Sequence, residues 1–92
     1  MQEINKDLLR LRDRIDYFDK EILKLLYERF TTTRAIGIIK KNDNIDSVDD
    51  KRFNEIIENI MSMGIQINLD PTFLKNLFTT IHNQVIKEHN SL

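Results

Sequence analysis

The stretch Leu8-Leu9-Arg10-Leu11-Arg12-Asp13-Arg14-Ile15-Asp16-Tyr17-Phe18-Asp19-Lys20-Glu21-Ile22-Leu23-Lys24-Leu25 decides the fold. Its residues Leu8, Leu11, Ile15, Phe18, Ile22 and Leu25, with Ile4 before them, recur at alternating spacings of three and four. That is the apolar seam of a helix lying along another helix. Leu9, Leu23, Leu26 and Phe30 widen the stripe. No breaker stops the pattern before about Lys41, since Gly37 costs only ~1 kcal/mol relative to Ala. The spacing therefore predicts a first helix of about 40 residues, or roughly 60 Å.

Breaker residues gather in two further places, Lys41 to Ser47 and Gly64 to Pro71, and leave two shorter helical segments. The second segment, about Ser47 to Met63, opens with Ser47 as N-cap candidate and carries Asp49 and Asp50 in its first turn, where acids suit the helix dipole. Its stripe is Phe53, Ile56, Ile57, Ile60 and Met61, with Gly64 suited to the C′ position. The third starts with Asp70 as N-cap and Pro71 at the first helical position. It presents Leu74, Leu77, Phe78, Ile81 and Val85 and runs to about Asn90. The expected fold is all-α: one very long N-terminal helix and two shorter ones, in a single domain spanning residues 1–92.

A compact chain of this length would be about 30 Å across. The first helix would protrude by half its length with its stripe exposed. A second copy of the chain packed against it removes the exposure, so the pattern predicts an intertwined helical homodimer. A helix broken near Thr31-Thr32-Thr33, giving a monomeric bundle, is the plainer alternative.

Composition narrows the function. The 92 residues contain no cysteine, which excludes a disulfide scaffold, thiolate metal sites and a cysteine nucleophile, and fits a reducing, cytoplasmic setting. No apolar run approaches the roughly 20 residues of a membrane span, and residues 1–7 lack a signal-peptide core. A net charge of −1, with basic residues interleaved with acids, does not suit nucleic acid. The balance is uneven, however. Residues 1–41 carry ten Lys/Arg and seven Asp/Glu, a net of +3, and residues 42–92 carry four and eight, a net of −4. A small anionic ligand on the first segment is therefore admissible. His82 and His89, seven residues apart, have no metal-ligand spacing, and no cofactor motif is present.

Beyond Leu25 the seam positions are Arg29, Thr33, Ile36 and Lys40. Two cations thus share the face that elsewhere carries aliphatic groups, 11 residues or about three turns apart. A buried cation needs a carboxylate or an anionic ligand. An internal salt bridge and a bound anion are equally open from this spacing. Arg12 lies about 25 Å from Arg29 along the helix, so one small ligand cannot meet both within one chain. In an antiparallel dimer, Arg12 of the partner could meet it; by itself Arg12 reads as a solvated residue. Asp49 and Arg52, at i and i+3, read as a surface ion pair.

Leu11-Arg12-Asp13-Arg14-Ile15-Asp16-Tyr17-Phe18-Asp19, Ile22-Leu23-Lys24-Leu25-Leu26-Tyr27-Glu28-Arg29 and Ile36-Gly37-Ile38-Ile39-Lys40 resemble the first helix of the all-helical (AroQ-type) chorismate mutases. The resemblance continues, more weakly, through Asp49-Asp50-Lys51-Arg52 and Leu69-Asp70. It implies a dimer with two sites, each built from Arg29, Lys40 and Arg52 of one chain and Arg12 of the other. Arg12 and Arg29 would clamp the two carboxylates of chorismate, with Arg52 nearby. Lys40 would lie against the ether oxygen, and Asp49 would accept from the ring hydroxyl. The implied reaction, chorismate to prephenate in the phenylalanine and tyrosine pathway, is a concerted rearrangement that needs orientation and cationic stabilisation, with no nucleophile, cofactor or metal.

The chain departs from that pattern at three positions. Phe53 stands where a Glu that helps hold the ring hydroxyl is usual. His89 aligns with a Gln near the end of the third helix, or Glu88 does if the register slips by one; a His there can donate to the ether oxygen, best when protonated. Val85, with Gln84 beside it, falls where a small hydroxyl residue is common. These changes leave room for an isochorismate-pyruvate lyase or a 4-amino-4-deoxychorismate mutase on the same scaffold. A non-catalytic helical dimerisation module is the rival of another class, though it has no use for Arg29 and Lys40 in its seam.

Overall fold

The computed structural model describes residues 5–46 and 48–92. They form three helices, α1 (Lys6–Asn42), α2 (Asp50–Gln66) and α3 (Pro71–His89), with no strand among the described residues. The fold is all-α, with one long N-terminal helix and two shorter ones, as the periodicity predicts. The chain falls into two compact units, Met1–Thr32 and Thr33–Leu92.

The first unit contains most of α1. Asn5 starts the helix: its Oδ1 accepts from the Leu8 backbone N–H at 3.1 Å, satisfying one of the amides that a helix start leaves open. The seam residues Leu8, Leu11, Ile15, Phe18, Ile22 and Leu25 are 44–60% exposed; Ile4 lies outside the described residues. An apolar stripe left open to this extent marks an interaction surface. The threonine run does not break the helix. The hydroxyls of Thr31 and Thr32 donate to the carbonyls of Tyr27 and Glu28, each at 2.9 Å, so these side chains satisfy themselves on the preceding turn.

The second unit holds the end of α1 with α2 and α3. α1 is stopped by Asn44, whose φ of 55° is left-handed. The Ile45 N–H then returns to the Lys40 carbonyl at 2.7 Å, which ties off the last turn. α2 ends the same way: Asn68 has a φ of 59°, and the Leu69 N–H reaches the Gly64 carbonyl at 2.9 Å. Asparagine tolerates this backbone better than most residues because its short polar side chain bonds locally.

Gly64 is therefore not the C′ residue. It sits inside α2, is buried, and has no positive φ. Its lack of a side chain lets Leu74 of α3 press against the α2 backbone, since a Cβ there would collide with Leu74 Cδ1. Ile57, Leu74 and Ile81 are the buried hydrophobic residues of this packing. Phe53, Ile56, Ile60, Met61, Phe78 and Val85 are half-buried around them. The start of α2 also differs from expectation. The N-cap is Asp49, whose Oδ1 accepts from the Arg52 N–H at 3.0 Å, whereas Ser47 lies outside the described residues. Asp70 caps α3 by accepting from the Thr72 N–H at 2.9 Å, with Pro71 following it as expected. No helix among the described residues is long and apolar enough to cross a membrane.

Two substitution sets test this packing by urea denaturation at fixed protein concentration. Leu74→Ala should lose about 2–5 kcal/mol by leaving a cavity against Gly64. Asn68→Ala should lose about 1 kcal/mol because alanine resists the left-handed backbone, whereas Asn68→Gly should match the parent.

Candidate active site

In the second unit, three pieces of chain carry the residues singled out by the sequence. Lys40 stands in the last turn of α1 and is half-buried. Asp49 and Arg52 occupy the cap and first turn of α2, and both are exposed. They do not form the expected ion pair. The Asp49 carboxylate takes the Arg52 backbone N–H, and the Arg52 guanidinium leans 3.8 Å toward Glu55 one turn on. Capping fixes one Asp49 oxygen, while a carboxylate has room for several donors.

The α3 residues divide between two faces. His82, Val85 and His89 follow one another at i, i+3 and i+7, so they share a face, and all three are half-buried. Gln84 is exposed and lies off that face. It lines a surface cavity of about 310 Å³ with Arg34, Lys87, Glu88, Ser91 and Leu92. Gln84 and Val85 are thus neighbours in sequence that look in different directions.

His89 is held tightly. Its Nε2 lies 2.8 Å from the Thr33 carbonyl oxygen. Since a carbonyl can only accept, Nε2 carries a proton, and Nδ1 is the other ring nitrogen. Nδ1 is buried and has no hydrogen-bond partner among the described residues. The ring rests on Gly37: a Cβ at that position would lie 2.6 Å from His89 Cδ2 and 2.7 Å from Leu92 Cδ1. Glu88 takes a different partner, accepting from Arg34 Nη2 at 2.9 Å through Oε1. Adjacent residues of α3 therefore grip adjacent residues of α1, His89 at Thr33 and Glu88 at Arg34.

The sequence reading missed two features of this region. Gly37 is a close-approach position, although its spacing showed only a tolerated helical glycine. His82 stacks on Phe53 with ring centroids 4.1 Å apart and planes inclined by 19°. The signal for His82 in the sequence is its i, i+3, i+7 relation to Val85 and His89. No group of His, Asp and Glu that could hold a metal ion occurs among the described residues.

The first unit carries Arg12 and Arg29, both on α1. Arg12 is exposed and Arg29 is half-buried. A half-buried guanidinium on a helix face otherwise lined with aliphatic groups is a strong anion-directed feature, because five N–H donors in a rigid fork match a carboxylate.

Comparison with known proteins gives this arrangement a family. The profile of the family described as "Chorismate mutase type II" matches residues 11–90. The chain is similar to a protein named bifunctional chorismate mutase/prephenate dehydratase from Buchnera aphidicola subsp. Acyrthosiphon pisum (strain APS), with 30% identity over 88 residues, covering 96% of this chain and 23% of the relative. A protein of the same name from Aquifex aeolicus (strain VF5) is 32% identical over 87 residues, covering 95% of this chain and 24% of the relative. The chain thus spans about a quarter of the length of these curated relatives. The match runs through all three helices and includes Arg12, Arg29, Lys40, Asp49, Arg52, Val85 and His89, and on the ground of its extent the chain belongs to the chorismate mutase type II family.

Proposed function

We propose that the chain is a chorismate mutase domain that converts chorismate to prephenate in an intertwined homodimer. The observation that carries the reading is the pair of half-buried cations, Arg29 and Lys40, on α1, within the stretch that the family model matches. The reaction breaks the ether C–O bond as the new C–C bond forms, with no proton transferred and no covalent enzyme intermediate. Two tasks remain for the protein. It must hold the enolpyruvyl arm over the ring, and it must stabilise the negative charge that grows on the ether oxygen.

Arg29 and Arg12 of the partner subunit bind the two carboxylates, with Arg52 close by. This clamp restricts the arm to a reactive geometry, which lowers the barrier by removing rotational freedom before the reaction begins. Lys40 faces the ether oxygen and contributes most in the transition state, where that oxygen is most negative. His89 contributes from α3. With Nε2–H committed to the Thr33 carbonyl, Nδ1 is the ring nitrogen left for a substrate, and it donates only as imidazolium. Asp49 accepts from the ring hydroxyl, Val85 packs against the ring, and Gln84 adds a polar contact at the edge. The exposed α1 stripe supports the dimer, because a second copy would cover it.

A second reading, isochorismate-pyruvate lyase, is favoured by Phe53, an apolar residue directly after Arg52 where lyase-like members also carry one. The same cations would then assist cleavage of a similar ether, and pyruvate would leave. Incubation with each substrate, followed by product identification, separates the two. Prephenate from chorismate supports the mutase, pyruvate from isochorismate supports the lyase, and unchanged chorismate at micromolar protein rejects the mutase.

Single replacement of Arg29 or Lys40 by Ala should lower kcat/KM by about two to four orders of magnitude, as expected when several kcal/mol of transition-state stabilisation is lost. Shared sites also make a quantitative demand. Refolding Arg12→Ala and Arg29→Ala chains together in equal amounts should restore about one quarter of parent activity, since half the dimers are mixed and each mixed dimer has one intact site. No recovery would overturn the shared site.

A further inference from the structure

The end of α1 is covered along one face only. From Thr31 to Asn42 the residues that are not exposed are Thr33, Gly37 and Lys40, at i, i+4 and i+7. That spacing puts all three on one side of the helix. Gly37 is the buried member, and Lys40, the cation proposed to meet the ether oxygen, is half-buried three residues on. The last turn of α3 comes down on this same face, where His89 Nε2 lies 2.8 Å from the Thr33 carbonyl oxygen.

Within an α-helix the Thr33 carbonyl already takes the Gly37 backbone N–H. His89 therefore adds a second donor to a carbonyl inside a continuous helix. A Cβ at position 37 would stand 2.6 Å from His89 Cδ2 and 2.8 Å from His89 Nε2, so any residue other than glycine collides with the ring that makes this bond. The ring ends its side chain and can swing aside, but only by giving up the Thr33 carbonyl. Glycine thus keeps the imidazole in one place. It also keeps it in one tautomer, because a carbonyl only accepts and the proton of the neutral ring must then sit on Nε2. The other nitrogen, Nδ1, is buried and makes no hydrogen bond among the described residues. A buried polar atom without a partner is uncommon in folded proteins and calls for a functional account.

We infer that Gly37 is a positioning residue for the mutase reaction: it is the seat that fixes the orientation and tautomer of His89 on the α1 face that carries Lys40. This rests on the chorismate mutase reading, in which His89 contributes from α3. Gly37 acts only through the ring that it admits.

The test is a cycle of Gly37→Ala, His89→Ala and the double variant, with thermal unfolding as a control for folding. Values of kcat and KM are measured with chorismate, and the tautomer of the neutral His89 ring is read from its nitrogen NMR shifts in the protein alone. The parent ring should carry its proton on Nε2, and Gly37→Ala should lose that preference. In the same variant kcat should fall about tenfold or more while KM changes by less than about threefold, because the arginines that hold the carboxylates lie elsewhere. With His89→Ala already present there is no ring to displace, so adding Gly37→Ala should change kcat by less than about twofold. An equal drop in both backgrounds means that Gly37 serves packing alone and overturns the inference, as does a Gly37→Ala enzyme with the parent kcat. Should Gly37→Ala fail to fold, the parent spectrum and His89→Ala decide. A proton on Nε2 with a lowered kcat in His89→Ala supports the inference, and a proton on Nδ1 or an unchanged kcat overturns it. A parent that leaves chorismate unchanged overturns the mutase reading itself, a result separate from the tautomer, which needs no substrate.

Discussion

The last turn of α3 can lie on the end of α1 because position 37 has no side chain. A single methyl group there would fall 2.6 to 2.8 Å from three atoms of His89 and Leu92. With glycine, the imidazole comes down on the helix backbone and its Nε2–H reaches the Thr33 carbonyl. The neighbouring Glu88 then meets Arg34. That ion pair is partly exposed and contributes under about 1 kcal/mol by itself. The close approach at Gly37 is the larger constraint, since overfilling a packed contact costs about 1–3 kcal/mol. Lys40 is three residues further along the same helix, so one glycine ties the orientation of α3 to the neighbourhood of the cation proposed to meet the ether oxygen.

The remaining chemistry follows from charges placed on an apolar scaffold. α1 carries a stripe of aliphatic and aromatic residues that are largely exposed, and along the same helix Arg29 and Lys40 are half-buried. A rearrangement without proton transfer needs no tuned acid or base. It needs cations already in position when charge develops, in surroundings where water does not compete. The dimer and the catalytic reading are thus one proposal: the surface that would bury the stripe would also dry the cations.

The polar shell around such a site is adjustable so long as the hydrogen bonds are supplied from somewhere. Asp49 serves as a helix cap, Arg52 turns along α2 toward Glu55, and Phe53 brings an aromatic face where a carboxylate is usual. Those three features occupy the first turns of α2 with contacts inside the chain. The α3 face of His82, Val85 and His89 is half-buried and carries two imidazoles.

Much of this could be read directly from the amino-acid order. Spacings of three and four set the helical class, and Asp70-Pro71 marked the start of α3, because each depends only on neighbours along a chain of fixed pitch; the cationic interruptions of the seam at Arg29 and Lys40 were visible in the same way. The family resemblance was legible for the same reason: its strongest motif lies on one helix. The helix stops at Asn44 and Asn68 were not legible, since left-handed backbone is a choice among several permissive residues and Gly64 competed for it. Nor were the roles of Gly37, Gly64 and His82. Whether a glycine is a loose joint or a contact point, and whether a histidine stacks, caps or faces water, depends on what another helix brings within 4 Å. That distance is set by packing between segments remote in sequence, which only the folded chain decides.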